Sequence, residues 1–180
     1  MYANVKAAVK LTEMTISHYF DSLSGVKQGC VVSPLLFSLF VVEFETMLYD
    51  SNVRGIFVGQ DFFDILLLFY ADDLCIFDDS VIGLQRKLNV LKQFSIKWGL
   101  NVNLDKTEIL VFRYGGKLRA TEKWTFGNVQ VKMSTYYNYL GLVFSNRLCW
   151  SKGINILVQK ANNALVSVKQ LQYNCTFCFI

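Results

Sequence analysis

Two adjacent acids, Asp72 and Asp73, interrupt the most apolar part of the chain, Ile65-Leu-Leu-Leu-Phe-Tyr70-Ala71-Asp72-Asp73-Leu74-Cys-Ile-Phe77. Apolar runs of this kind bury their side chains, and a carboxylate inside one is costly unless it is paired, hydrogen-bonded or bound to metal. A tight turn at Ala71-Asp72-Asp73, with Ile65–Tyr70 pairing with Leu74–Phe77, removes that cost by pushing the acids to one end of the sheet. Like charges meet there, and a divalent cation relieves the repulsion. Mg²⁺ suits such a place, because it takes carboxylate oxygens, retains waters and binds substrate phosphates. An ordinary solvated turn has the same pattern, since aspartate favours turns for unrelated reasons.

The elements around this hairpin follow from local signals. Ala3 to Tyr19 alternates in the extended manner and reads as two short strands, and Asp21 to Cys30, with two glycines, reads as a loop. Ser33-Pro34 predicts a helix start, with serine as cap and proline at the first helical position. That helix runs to about Tyr49 and is apolar nearly all round, which predicts deep burial. Ser80 opens a second helix. Its apolar residues Leu84, Leu88, Leu91, Phe94 and Trp98 keep 3–4 spacing, and Gly99 follows at the cap. Glu108–Phe112 reads as a strand, and Trp124-Thr-Phe, Gly127-Asn128 and Val129-Gln-Val read as a hairpin with a primed turn. Tyr139–Phe144 reads as a further strand. From Ser151 an amphipathic helix carries Ile154, Leu157, Val158, Ala161, Leu165, Val168 and Leu171 on one face. The class is α+β, antiparallel hairpins packed on helices, with a domain change between Ser145 and Ser151.

Composition narrows the class. Apolar residues make up 53% of the 180, above the usual soluble average, which excludes a disordered chain. The first residues lack the apolar core of a secretory signal. The longest apolar runs fall short of the roughly 18 residues that span a bilayer, so no membrane is expected. The net charge of +4 is compatible with phosphate binding without identifying it. Five cysteines in no framework spacing point to a reducing, intracellular compartment. Cys175 and Cys178 form a lone C-x-x-C with His18 as the only histidine, too few ligands for a structural zinc site.

Four segments, in order, resemble the reverse transcriptases of non-LTR (LINE-type) retrotransposons. GVKQGCVVSPLLFSLF is similar to motif B, FYADDL to motif C, KWGLNVNLDKTEILVF to motif D and YLGLVFS to motif E, together covering most of Gly25 to Ser145. Val31 stands where many relatives have proline. The resemblance implies a polymerase palm-like antiparallel sheet with packed helices over 1–145 and the start of a helical thumb over 146–180. It implies an RNA-directed DNA polymerase that transfers nucleotides from dNTPs to a DNA primer on an RNA template. Asp72 and Asp73 would be the metal carboxylates of a two-Mg²⁺ site, and Gln28, Gly29, Tyr70 and Ala71 would face the template and nascent pair. Lys106 would lie near the phosphates as a proton donor. Tyr139, Leu140 and Gly141 would form the primer grip, and Lys152, Lys160 and Lys169 would reach the duplex. Each has a plainer reading beside it: a helix-entry loop at Gln28-Gly29, a solvated turn lysine at Lys106, a glycine bulge at Gly141, and a core helix with a lysine face after Ser151.

The resemblance also implies a further aspartate, on the strand of motif A. Before Gly25 the acids are Glu13 and Asp21, and neither sits in an apolar strand followed by Ala-Phe or Phe-Asp. The chain is therefore expected to be an N-terminally truncated part of a longer polyprotein, inactive alone. The alternative is a non-catalytic nucleic-acid-binding remnant, which would have no need of Asp72 and Asp73. A palm-like nucleotide cyclase would need a Gly-Gly-acidic signature that is missing, and the W-G-L-x-V-N-x-x-K-T run favours the LINE type over intron and telomerase relatives.

Overall fold

The computed structural model describes residues 5–13, 15–22, 29–59, 63–116 and 121–174. The chain forms two compact units, residues 1–97 and 98–180.

In the first unit, β1 (Val5–Ala7) pairs antiparallel with β2 (Phe20–Ser22), and a Lys10–Ile16 bridge continues the pairing inward. The second strand of this pair thus lies later than Ala3–Tyr19 allowed, and it takes up the start of the expected loop. Helix α1 (Ser33–Asp50) follows. Val32, not Ser33, holds the cap position, in helical backbone conformation. Ser33 is already in the first turn, and Leu36 N–H bonds to the Val32 carbonyl at 3.0 Å. Pro34 is tolerated one place further in because the first four helical N–H groups have no intrahelical acceptor.

Next come β3 (Ile56–Val58) and β4 (Phe63–Ile65), an antiparallel pair that the apolar run concealed. Then β5 (Leu67–Tyr70) and β6 (Asp73–Ile76) form the hairpin at the acids. Its ladder is shorter than expected: Ile65 pairs with Ile56 instead, while Phe77 N–H still reaches the Leu66 carbonyl at 3.1 Å. Helix α2 (Val81–Trp98) begins where Ser80 predicted. The Ser80 hydroxyl accepts from Gly83 N–H at 2.9 Å, and Gly99 with φ 65° follows the last turn.

The core of this unit is Phe44 and Leu48 of α1, Val53, Leu66, and Val90 and Phe94 of α2, with Leu67, Phe69, Leu74 and Ile76 of the hairpin packed against it. Phe44 meets Phe94 at 5.1 Å between ring centroids and Phe69 edge-on at 6.3 Å. Both helices lie on one face of the hairpin. Leu67 and Phe69 therefore point inward, whereas Leu68 and Tyr70 are exposed. The all-round apolar helix α1 is likewise covered on one side only. Val41, Phe44 and Leu48 are buried, but Leu35 and Leu39 are each 62% exposed, which corrects the expected deep burial.

In the second unit, β7 (Glu108–Leu110) is shorter than the expected Glu108–Phe112. The hairpin β8 (Thr125–Phe126) and β9 (Val129–Gln130) turns at Gly127, φ 62°, and Asn128, as read from the sequence. Trp124, Phe126 and Val131 are buried around it. β10 (Lys132–Ser134) pairs with β7 in parallel register. The expected single strand Tyr139–Phe144 is instead a hairpin, β11 (Tyr136–Tyr139) and β12 (Leu142–Ser145). Leu140 and Gly141 are its turn, with φ 51° and 86°. Both central residues are left-handed, as a two-residue hairpin turn of type I′ requires.

Helix α3 (Ser151–Asn174) lies against β12. Gly153 is buried there, and a Cβ on it would stand 3.2 Å from the Val143 carbonyl. Beyond Gly153 the expected apolar face is exposed at Ile154, Leu157, Val158, Ala161, Leu165 and Val168. The side chain of Leu171 lies outside the described residues.

The architecture is α+β. Among the described residues the strands form six two-stranded ladders and no continuous antiparallel sheet, because each strand finds its partner across one edge. No described helix is long and apolar enough to cross a membrane.

Candidate active site

The acids sit where the hairpin reverses. Tyr70 pairs with Asp73, so Ala71 and Asp72 are the two turn residues and Asp73 is the first residue of the returning strand. Ala71 has φ 52°, a left-handed conformation that alanine adopts at a cost of order 1–2 kcal/mol. Tyr70, Ala71, Asp72 and Asp73 are all exposed. Phe69 and Leu74, paired with each other one step below, anchor the tip in the aromatic core. A half-buried base therefore presents two solvent-facing carboxylates on a short ladder.

The donors suit a hard cation in kind: carboxylate oxygens with open space for waters and phosphate oxygens. In number they are incomplete. Among the described residues no group of three or more His, Cys, Asp or Glu side chains could hold a metal ion. Cys75, in β6, adds no ligand chemistry, because burial pushes its thiol above the usual range.

The other expected site residues are distributed as follows. Gln28 lies outside the described residues. Gly29, φ 77°, stands in the turn before α1, with open space where a Cβ would be. Lys106 belongs to the second unit. It lies in a turn held by Asn103, whose side chain accepts from Asp105 N–H at 3.1 Å and whose carbonyl accepts from Thr107 N–H at 3.0 Å, and its own side chain is exposed. Tyr139, Leu140 and Gly141 form the tip of the β11–β12 hairpin, with Leu140 and Gly141 exposed. Lys152 lies 4.0 Å from the centre of the Tyr136 ring, a cation–π contact, while Lys160 and Lys169 are exposed on α3. Cys175 and Cys178 lie outside the described residues.

Sequence reasoning missed the base of the acid hairpin. Lys87 is fully buried, 2.9 Å from Asp78 Oδ2, and it also donates to the Phe77 carbonyl. The Asp78-Asp79-Ser80 run before a helix was a signal for a cap. Nothing in it pointed to a lysine one helical stretch later.

Residues 5–144 match the family described as reverse transcriptase (RNA-dependent DNA polymerase). The RNA-directed DNA polymerase from mobile element jockey of Drosophila funebris is 26% identical over 140 residues, 74% of this chain and 14% of that protein. Its counterpart from Drosophila melanogaster is 25% identical over 142 residues, 76% of this chain and 14% of that protein. The probable RNA-directed DNA polymerase from transposon BS of Drosophila melanogaster is 25% identical over 150 residues, 82% of this chain and 16% of that protein. The chain thus spans a small part of the length of these relatives. The family match takes in the Asp72–Asp73 tip, Lys106 and the Leu140–Gly141 turn alike. The chain therefore belongs to the reverse transcriptase (RNA-dependent DNA polymerase) family, and its mobile-element relatives agree with the non-LTR retrotransposon type that its motifs resemble.

Proposed function

We propose that this chain carries the metal-carboxylate hairpin of an RNA-directed DNA polymerase that transfers nucleotides from dNTPs to a primer 3′-hydroxyl. One observation carries the reading. In a segment that matches the reverse transcriptase family, a two-residue turn holds Asp72 at the exposed end of a hairpin whose base packs against two helices.

Asp72 would be the principal ligand of the Mg²⁺ site, and Asp73 would support it by charge and hydrogen bonding. Bound there, Mg²⁺ supplies charge neutralisation to the attacking and leaving oxygens of an in-line displacement. The protein's own residues position the reactants. Tyr70, Ala71, Gln28 and Gly29 would approach the template and the nascent pair, with Gly29 offering the backbone closely because it has no side chain. Lys106 would hold a proton near the leaving pyrophosphate. Tyr139, Leu140 and Gly141 would grip the primer backbone from their turn. Residues 1–145 would serve as part of the palm and 146–180 as the start of the thumb. The partners would be an RNA template, a DNA primer, dNTPs and the rest of the retroelement polyprotein, within the cell.

Asp72 and Asp73 supply one side of a cage that needs carboxylates from more than one strand to hold metal and triphosphate. Residues 1–180 alone should therefore fail to extend a DNA primer on an RNA template. A polypeptide extended upstream to include an aspartate-bearing motif A strand should extend it, given Mg²⁺ and dNTPs. Robust extension by residues 1–180 alone would show that the catalytic centre is misplaced.

A further inference from the structure

The far end of the acid hairpin is held by a polar group outside the four motifs, centred on a buried ion pair. Lys87 of α2 is fully buried and its partner Asp78 nearly so. The Lys87 ammonium is paired with Asp78 Oδ2 at 2.9 Å and donates to the Phe77 carbonyl. Asp78 Oδ1 accepts from both the N–H and the hydroxyl of Ser80, each at 2.8 Å. Ser80 in turn caps α2 by accepting from Gly83 N–H at 2.9 Å. Phe77 N–H closes the hairpin ladder on the Leu66 carbonyl at 3.1 Å. Gly83 is part of the same device, because a Cβ there would overlap the Asp78 carboxylate.

A buried ion pair is an inefficient way to gain stability, since apolar residues of similar volume do as well or better. It does fix one arrangement, because each donor of the ammonium needs its own acceptor in place. Here the arrangement fixed is the exit of β6. Phe77 follows directly after Ile76, and Asp73 lies four residues back, about 13 Å along an extended strand. The peptide of Phe77 is tied on one side to Leu66, just before β5, and on the other to Lys87 of α2. The base of the hairpin is thereby held to the helix, and the short ladder joins it to the acids.

We propose that Lys87, through Asp78 and Phe77, is a positioning residue that sets the placement of the Asp72 and Asp73 carboxylates for cation binding. This rests on the proposed reading of those acids as metal ligands. The probe is Mn²⁺ alone, titrated into the polypeptide extended upstream through the motif A strand and followed by the free-ion signal in electron paramagnetic resonance. Asp72→Asn should remove most of the binding. The double variant Lys87→Met with Asp78→Asn leaves no orphaned buried charge, and it should keep its circular dichroism spectrum while binding Mn²⁺ about tenfold more weakly. Gly83→Ala presses on the Asp78 carboxylate from the helix side, at a position where alanine favours helix. It should weaken Mn²⁺ binding in the same direction, and it decides the matter if the double variant does not fold. A change in melting temperature with unchanged Mn²⁺ affinity in a folded variant would overturn the positioning role and leave the metal site standing. Unchanged binding in Asp72→Asn would overturn the metal reading itself, and the proposal with it.

Discussion

The two hairpin tips proposed for catalysis and primer contact share an unusual backbone, and the Leu140 tip gives the sharper test. Leu140 has φ 51° without being glycine, and Gly141 follows at 86°. A left-handed conformation costs an ordinary residue about 1–2 kcal/mol, whereas asparagine and glycine carry less of that penalty. Leu140 is 49% exposed, so replacing it also removes some buried area, and the comparison has to hold that loss constant. Leu140→Ala gives up the side chain and keeps the backbone penalty. Leu140→Asn gives up the same packing but creates the Asn-Gly pair that this turn prefers. The asparagine variant should therefore exceed the alanine variant by about 1 kcal/mol, which is about 4–8 °C in melting temperature for a unit of 60–100 residues. Thermal melting of the two 180-residue variants, followed by circular dichroism, reads the difference. An alanine variant as stable as the asparagine variant would show that the turn is not left-handed at Leu140. Strain of this kind persists where surrounding structure enforces it, often at functional sites. The asparagine variant should accordingly lose primer affinity if the Leu140 side chain grips primer.

Other perturbations separate the remaining parts. Ala71→Gly relieves the same conformation at the acid tip and should stabilise the first unit by roughly 0.5–1 kcal/mol in chemical denaturation. Phe44→Ala empties a fully buried site between Phe69 and Phe94, and should cost about 3–5 kcal/mol in the same assay. Hydrogen bonds from Lys132 and Ser134 hold the Glu108 carboxyl below its usual range. The stability this gives is present above the unfolded-state value near 4.3 and is lost as pH falls through the lower folded value. Lys132→Met should move the Glu108 titration upward, which carboxyl NMR would show, with a small effect on stability because Lys132 is largely exposed.

Features with a local cause were legible in the sequence. The break at Asp72-Asp73, the Ser80 cap, the Gly99 stop and the Gly127-Asn128 turn each depend on a residue type in one place. Features set by distant partners were not. The β11–β12 hairpin escaped because Leu140-Gly141 lacks the Asn-Gly or Asp-Gly signature, and its left-handed leucine breaks local propensity. The parallel pairing of β7 with β10 joins residues 24 apart across the intervening β8–β9 hairpin. Helix α1 is apolar all round, so its periodicity could not say which face is covered. Buried Lys87 reads as a surface lysine until Asp78 and Phe77 are seen beneath it. The acid tip was legible because an Asp-Asp pair amid apolar strands has few physical solutions.

The most direct test of the acid tip is primer extension on an RNA template by the upstream-extended polypeptide, comparing the unaltered protein with Asp72→Asn. The substitution keeps the size of the side chain and removes one charge and a strong metal ligand. A loss of at least ~10³-fold is expected, comparable to removing one electrostatic element of a preorganised site. Full activity in the Asp72→Asn protein would contradict the assignment of the hairpin tip as the catalytic centre.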